Sequence, residues 1–496
     1  MTQLSANDAL TQVQRTLRRG DAVSALRMSS QIVKQAPQFF PGQALHAEVL
    51  MRVGRTATAR LLLDRLIAAA PEEHHPPLHL SRARTLLLEG RAGDAVEPAE
   101  RAHTGRPDDP EAVAAYAEAL AGSGRAEDAL KALDDAGGRG LDSITMSRAR
   151  GETALAGAGD ASAAAGGLAD ATGKVGAAAW ELTAALRTLA ELRARAGDDD
   201  EALTVFKRAA KIAAPGADPA PHAKGVDQLV ASWTPETLAK LPHLSSAKDD
   251  REAGEGFVVV AGLPGGSADA ARAVATAGGA HGVSQQYAFV GAVFGTWAAQ
   301  PAGFSAWLAP PMKATTPHLT RIRDLTLNSA RAASGGDETK PFIDAGWAQL
   351  YALGALPLIL PKAKLVIVDR PLGDAALATL MTESAPQAPF AADPVNAAVT
   401  IKDMQRVLDH AWSLLSAEGV LGGALRVSYD ALVGDDDAAR TELLGFLGLE
   451  SSGSALAEAK AAAASFTQAT HRRAGLSSRF GGRLKDMHRA LEPDAS

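Results

Sequence analysis

Apolar residues in the first half of the chain recur at the three- and four-residue spacing of amphipathic helices. The helical segments come in pairs, with a glycine inside each pair and, in most copies, a proline after it. The glycines of the repeated segments are Gly20, Gly54, Gly90, Gly124, Gly159 and Gly197, and the first four are 34, 36 and 34 residues apart. A period of this length predicts stacked helix pairs, because one such pair cannot bury its own apolar face.

The glycine allows the first helix of each pair to end in a tight turn, and the proline stops the second helix. Spacing, glycine and proline together resemble tetratricopeptide repeats over about residues 5 to 215. The resemblance implies an α-solenoid whose concave groove holds a peptide or another protein. The alternative is that the array serves only as a spacer or a dimerising platform, and a homo-oligomer is left open.

The second half has a different pattern, which begins with the valine run of GFVVVAG and continues through PGGSADAARAVATA. A short apolar run followed by a glycine-rich turn and an alanine-rich segment predicts a buried parallel strand, a loop and a helix. Such a loop presents backbone N–H groups to an anion. We expect a repeat domain over residues 1–220, a linker with a short helix over 221–255, and an α/β domain with a parallel sheet over 256–490.

The composition of the chain argues against several functional classes. The net charge of -7 argues against a nucleic-acid binder, which needs a basic face. The chain has no cysteine, so disulfides, thiolate zinc sites and cysteine nucleophiles are excluded. No apolar run is long enough to span a membrane, and the first residues lack the features of a signal peptide, so we expect a cytoplasmic protein.

The order of motifs in the second half resembles the sulfotransferase domain that follows tetratricopeptide repeats in a bacterial family, which is similar to tyrosylprotein sulfotransferases. The segment TPETLAKL precedes a strand and a glycine-rich, P-loop-like turn, where the family has Pro-Arg-Ser-Gly-Thr-Thr. Further on, DAGWAQLYALGALPLILPKAKLVIVDR follows the family layout from Asp344 to Arg370 without a gap. The segments ALRVSYDAL and THRRAGLSSRF match its later strand and its tail.

This resemblance implies sulfuryl transfer from 3'-phosphoadenosine 5'-phosphosulfate, with adenosine 3',5'-bisphosphate as the product nucleotide. The positions that it assigns to the nucleotide are Pro264, Gly265, Gly266, Ser267, Arg370, Ser477, Ser478 and Arg483. The general base, a glutamate in the family, falls on Gln286, which cannot accept a proton from an acceptor hydroxyl.

Other active-site groups are also replaced. The loop arginine falls on Gly265, the two threonines on Ala268 and Asp269, and the lysine after Asp344 on Ala345. If Asp269 faces the loop, its charge opposes a bound anion, and if it faces away, the glycine amides remain able to hold one. The interpretation is a catalytically inactive family member that acts as a protein-binding scaffold. The alternatives are an active sulfotransferase for a peptide or glycan hydroxyl, or a nucleotide sensor without turnover.

Several residues also have interpretations that need no ligand. Arg370 could form an ion pair with Asp369 or Asp374, and Arg483 could be a solvated helix position. His471 is considered as a substitute base. The adjacent histidines 74 and 75 lack a third ligand nearby, so a metal site is not predicted there.

Overall fold

The computed structural model describes residues 6–19, 21–174, 176–213, 218–244, 253–282, 288–297, 314–382, 390 and 393–492. The chain divides into two compact units. The first comprises Met1–Pro215 together with Ser384–Ala392, and the second comprises Gly216–Glu383 together with Asp393–Ser496.

The described part of the first unit is built from α-helices. They are α1 (Ala6–Arg18), α2 (Ala22–Gln35), α3 (Phe40–Arg52), α4 (Thr56–Ala69), α5 (His75–Leu88), α6 (Ala92–Gly105), α7 (Pro110–Gly122), α8 (Ala126–Gly138), α9 (Ile144–Leu155), α10 (Ala161–Gly173), α11 (Ala179–Arg195) and α12 (Asp199–Ala213). Each odd-numbered helix packs against the even-numbered helix that follows it, so the unit is a series of helix pairs.

The repeat glycines occupy the turns inside the pairs. Gly54, Gly90, Gly124, Gly159 and Gly197 have φ values of 78°, 71°, 85°, 86° and 86°. This left-handed conformation carries a steric penalty for other residues, so the turn selects glycine. The predicted role of these glycines is confirmed, whereas Gly20 lies outside the described residues.

The odd-numbered helices form a layer in which α1, α3, α5, α7, α9 and α11 lie side by side in chain order. Small buried residues allow the close approach within the pairs, as Ala83, Ala95, Ala99 and Ala119 show in one cluster between α5, α6 and α7. We call the surface of this layer that faces away from the even-numbered helices the inner face.

The second unit contains a five-stranded parallel sheet. Its strands are β1 (Phe257–Gly262), β2 (His281–Gly282), β3 (Phe342–Ala345), β4 (Lys364–Asp369) and β5 (Ala424–Ser428), in the order β2-β3-β1-β4-β5. The central strand β1 is buried along its whole length, as its valine run predicts. Val260 pairs with Ala345 on one side and with Val366 on the other.

Helices surround this sheet. They are α13 (Ala220–Ser232), α14 (Pro235–Lys240), α15 (Ser267–Ala277), α16 (Ala288–Trp297), α17 (Thr316–Ala333), α18 (Leu356–Ile359), α19 (Leu372–Thr382), α20 (Pro394–Leu415), α21 (Tyr429–Val433), α22 (Asp437–Leu447), α23 (Gly453–Phe466), α24 (Leu476–Phe480) and α25 (Lys485–Leu491). Helices α15, α22 and α23 share a buried apolar cluster with strands β1, β3 and β4.

Helix α13 is attached to the second unit by polar contacts. Asp227 accepts a hydrogen bond from Arg406 of α20 at 2.8 Å, and the Trp233 carbonyl oxygen lies 2.7 Å from Nε2 of His410. The Trp233 ring covers Gly354, where a Cβ atom would lie 2.5 Å from the indole.

In the described part of the chain, no helix is both long enough and apolar enough to cross a membrane.

Candidate functional site

The glycine-rich loop joins the end of β1 to the start of α15. Gly265 and Gly266 both have positive φ values, 87° and 99°. A Cβ atom on Gly265 would lie 2.5 Å from Cβ of Ala378 in α19, so the loop backbone presses directly on that helix. Position 265 therefore has no room for the arginine that the sulfotransferase resemblance would place there. Pro264, just before it, is buried.

Ser267 begins α15 and is fully buried. Among the residues that the structure describes, its hydroxyl has no hydrogen-bond partner. The first N–H groups of a helix have no acceptor within that helix, and they carry the positive end of its dipole. Loop and hydroxyl together therefore form a compact set of hydrogen-bond donors at the carboxyl end of the central strand.

Asp269 lies in the first turn of α15, where a negative charge is favoured. Its Oδ1 is 3.3 Å from Nε of Arg272, one turn further along the helix. The carboxylate is thus paired along the helix surface. This corresponds to the arrangement in which Asp269 faces away from the loop and the glycine amides remain able to hold an anion.

Arg370 follows β4 and is only 3% exposed. Its Nη1 donates to the carbonyl oxygen of Gly265 at 2.8 Å, and its Nη2 donates to the carbonyl oxygens of His471 at 2.8 Å and Arg473 at 3.2 Å. The guanidinium carbon lies 4.2 Å from the ring centroid of Tyr429. Arg370 therefore ties the glycine-rich loop to the tail of the chain.

The expectation of an ion pair between Arg370 and Asp369 or Asp374 is wrong. Asp369 instead accepts from Arg426 at 2.8 Å, because the two residues lie on neighbouring strands of the sheet. Burial lowers the pKa of Arg370, and the nearby Tyr429 and Asp374 oppose that change. Burial also raises the pKa of the Tyr429 hydroxyl to about 12, so it stays protonated and donates to the Arg472 carbonyl oxygen at 2.5 Å.

The tail is held by a second buried charge, Asp374 in α19, which is 1% exposed. It accepts hydrogen bonds from the Leu476 N–H at 3.0 Å, the Ser477 N–H at 2.8 Å and the Ser477 hydroxyl at 2.6 Å. The Ser477 hydroxyl is thus bound within the chain. Ser478 and Arg483, the other two tail residues assigned to the nucleotide, are exposed.

These contacts bring four of the sequence-predicted positions together. Arg370 ties Gly265 of the loop to the tail, and Asp374 separately holds Ser477 of the same tail. Gly266 lies beside the tail, where a Cβ atom would be 4.0 Å from Cγ of Arg472. Sequence reasoning missed Tyr429 and the contact of Asp374 with the tail. Gln286, which stands at the position of the family base, lies outside the described residues.

A second buried acid, Asp344, lies near the end of the neighbouring strand β3 and is fully buried. Its Oδ2 accepts from the Phe289 N–H at 2.7 Å and its Oδ1 from the Ala288 N–H at 3.3 Å, so it caps the start of α16. Burial raises the pKa of Asp344 to about 7, although these hydrogen bonds favour the ionised form. The adjacent Ala345 is buried and apolar.

The inner face of the first unit carries a series of charged contacts between successive odd-numbered helices. Arg84 of α5 pairs with Glu111 of α7, and Arg148 of α9 pairs with Glu118 of α7 at 2.6 Å. The Thr188 hydroxyl of α11 donates to Glu152 of α9 at 2.6 Å. Burial raises the pKa of Glu152. These pairs lie on the surface that solenoid proteins use for binding.

Metal ligation is not suggested by the geometry. No cluster of three or more suitable side chains occurs within the described ranges. Nε2 of His75 lies 2.9 Å from the Ala70 carbonyl oxygen, and the His74 ring packs 5.5 Å from that of Phe40.

The helix pairs and their glycine turns define a helical-repeat protein with a small parallel-sheet unit. Residues 86–151 match the family model described as a tetratricopeptide repeat, so the chain contains tetratricopeptide repeats. No curated protein matches the chain.

Two solved structures are similar to part of the chain. One is MamA 41-end from Desulfovibrio magneticus RS-1, which is 15% identical over 42% of this chain and 94% of its own, with a TM-score of 0.23. Another is a tetratricopeptide repeat protein from Parabacteroides merdae, which is 11% identical over 42% of this chain and 94% of its own, with a TM-score of 0.29. At such TM-scores neither structure carries an argument about function.

Proposed function

We propose that this protein is a protein-binding scaffold whose tetratricopeptide repeats hold a partner and whose second unit is a sulfotransferase-like module without catalytic activity. The observation that carries the proposal is the network around Arg370. Its guanidinium and the Ser477 hydroxyl are the groups that the resemblance assigns to the nucleotide, and both are hydrogen-bonded to other parts of the chain. A nucleotide phosphate would have to displace these partners.

Further support comes from the loop. The family arginine has no counterpart at Gly265, where the close contact with Ala378 excludes a side chain. The relation to sulfotransferases is itself supported by the position of the loop, which leaves the central strand of a parallel sheet and enters a helix N-terminus. Fold similarity without the site does not carry the activity.

Catalytic inactivity is tested by incubating the purified chain with 3'-phosphoadenosine 5'-phosphosulfate and tyrosine-containing peptides or glycans, and by measuring release of adenosine 3',5'-bisphosphate. We expect release at the rate of the buffer blank. Transfer of sulfate to any acceptor above that rate would contradict the proposal and would favour the active-enzyme alternative.

Partner binding is tested by comparing proteins captured by the wild type with those captured by a double variant of the inner face, Glu118→Ala with Arg148→Ala. Removing both members avoids leaving either charge of this pair without the other. The matched control is Glu127→Ala, an exposed acid on α8. Partners of the repeats should be retained by the control and lost by the double variant, and a capture profile identical for all three proteins would refute binding at the inner face.

One observation favours a second candidate, a nucleotide sensor without turnover. The buried Ser267 hydroxyl lacks a partner in the described part of the chain, and it stands beside two glycines with positive φ at a helix N-terminus. Such a donor set suits a phosphate or sulfate group. Calorimetric titration with adenosine 3',5'-bisphosphate decides between the candidates. Micromolar binding that Ser267→Ala abolishes would establish the sensor, and the absence of heat would leave the scaffold.

A further inference from the structure

The inner face of the first unit contains one contact between helices that are distant in the layer. The guanidinium carbon of Arg52, at the end of α3, lies 3.4 Å from the ring centroid of Trp180, at the start of α11. Helices α5, α7 and α9 stand between these two in the layer. The flat stacking of a guanidinium on an indole is a favourable cation–π arrangement.

The distance shows how strongly the layer curves. Packed helices are about 8–10 Å apart, so the four steps from α3 to α11 amount to roughly 35 Å along the layer. Two side chains in contact cannot bridge such a span unless the layer turns back on itself. The Arg52 contact therefore crosses the interior of the solenoid, where a bound peptide would lie.

The charges around Arg52 indicate the charge of the group that can bind at this location. Burial lowers the pKa of Arg52 to about 10, Glu48 and Glu181 oppose the shift, and Arg84 and Arg148 add to it. Both of these arginines are already paired with carboxylates, Glu111 and Glu118, respectively. Glu48 and Glu181 are thus the two acids whose charges favour the cation on the Trp180 ring. The Glu181 carboxylate also accepts a hydrogen bond from the Ala178 N–H at 2.9 Å.

We propose that Trp180, Glu48 and Glu181 form a cation-recognition site that Arg52 occupies in the free chain, and that an arginine or lysine of a basic peptide replaces Arg52 on binding. Arg52 is then an intramolecular competitor. Its buried Nε has no hydrogen-bond partner among the described residues, so the site holds it by stacking and charge without saturating its donors. The inference rests on the proposed scaffold function and adds the charge of the partner segment.

The test observes Trp180 directly. The full chain is labelled with 5-fluorotryptophan, and Trp180→Phe assigns the ¹⁹F resonance of the one tryptophan among residues 1–215. The probes are the peptides Gly-Arg-Gly-Arg-Gly and Gly-Glu-Gly-Glu-Gly, titrated at constant ionic strength. We expect the arginine peptide to shift the Trp180 resonance and the glutamate peptide to leave it in place.

The decisive variant is Arg52→Met, which removes the cation and keeps an aliphatic stem that can pack. Loss of the internal competitor should raise the affinity for the arginine peptide about tenfold, the scale of one cation–π contact. Arg55→Met is the matched control, because it removes an equal charge from an exposed position at the start of α4 and should leave the affinity unchanged. Glu181→Gln should weaken binding.

Several results would overturn the inference. They are an unchanged or lower affinity in Arg52→Met, an equal gain in Arg55→Met, and a Trp180 resonance that the glutamate peptide shifts more than the arginine peptide does. A Trp180 resonance that moves with neither peptide in Arg52→Met would also overturn it. The scaffold proposal would survive each of these results, because it does not specify the charge of the partner.

Discussion

Replacing Arg370 with methionine should destabilise the second unit and should not lower its affinity for a ligand. The substitution removes three hydrogen bonds from a charged donor to the carbonyl oxygens of Gly265, His471 and Arg473. It also removes the stacking on Tyr429. Methionine retains most of the side-chain volume, so the loss reports the polar contacts and not a cavity.

The magnitude follows from these contacts. Hydrogen bonds to a charged group contribute about 1.5–3 kcal/mol each, and the cation–π contact adds about 0.5–2 kcal/mol. Part of this gain is offset in the native protein by the desolvation of a buried guanidinium. A net loss of about 3–5 kcal/mol in the free energy of unfolding is expected, because three carbonyl oxygens lose their donor at about 1–3 kcal/mol each.

Differential scanning calorimetry of the full chain measures this loss. In a domain of this size 1 kcal/mol corresponds to about 2–4 °C, so the melting transition of the second unit should fall by roughly 6–20 °C. The matched control is Arg426→Met, which breaks a partly exposed ion pair with Asp369 and should cost about 1 kcal/mol or less. An Arg370→Met protein that melts like the wild type and has lost affinity for adenosine 3',5'-bisphosphate would refute the structural role assigned to this arginine.

Three further predictions concern the same unit. Gly265→Ala should lower stability by about 1–3 kcal/mol in urea denaturation, because the position has a φ of 87° and its Cβ atom would contact Ala378. Asp374→Asn should increase amide exchange at Leu476 and Ser477, since a carboxamide is a poorer acceptor than a carboxylate for their N–H groups. Between pH 5 and 7 the wild type should lose about 2 kcal/mol of stability as Asp344, whose pKa is raised to about 7, ionises, and Asp344→Asn should remove this dependence.

The sign of the pH prediction follows from the direction of the shift. Because the pKa of Asp344 is higher in the folded chain than the ordinary value of 3.8, folding favours the protonated carboxyl. Its contribution is complete below pH 3.8 and is lost as the pH rises through 7. Stability that is constant over this range, measured by urea denaturation at each pH, would contradict a carboxyl group buried in this way.

Much of the first unit could be predicted from the sequence because its contacts are local. The turns at Gly54, Gly90 and Gly124 depend on residues within the same helix pair, and their period is visible in the sequence. The contact between Arg52 and Trp180 could not be predicted, because it depends on the curvature that accumulates over several repeats.

In the second unit the sequence predicted a strand where the apolar run is long, as in β1. Strand β2 contains only two residues and has no comparable signal. The candidate site was harder to predict, because an arginine after a strand can bind either an anion or a carbonyl group. Only the fold, which brings residues about one hundred positions apart into contact, shows that Arg370 binds the chain itself.

The acceptors around Arg370 also bear on the choice between scaffold and sensor. An anion that approached this guanidinium would meet the carbonyl oxygens of Gly265 and His471, whose partial negative charges already occupy its donors at 2.8 Å. Phosphate binding there would leave both carbonyl groups without a donor, at a cost of about 1–3 kcal/mol each. The Ser267 hydroxyl carries no such cost, because it has no partner to lose among the described residues. An anion site at the glycine-rich loop should therefore depend on direct contacts with Ser267 and the loop amides, without direct contact with the Arg370 guanidinium.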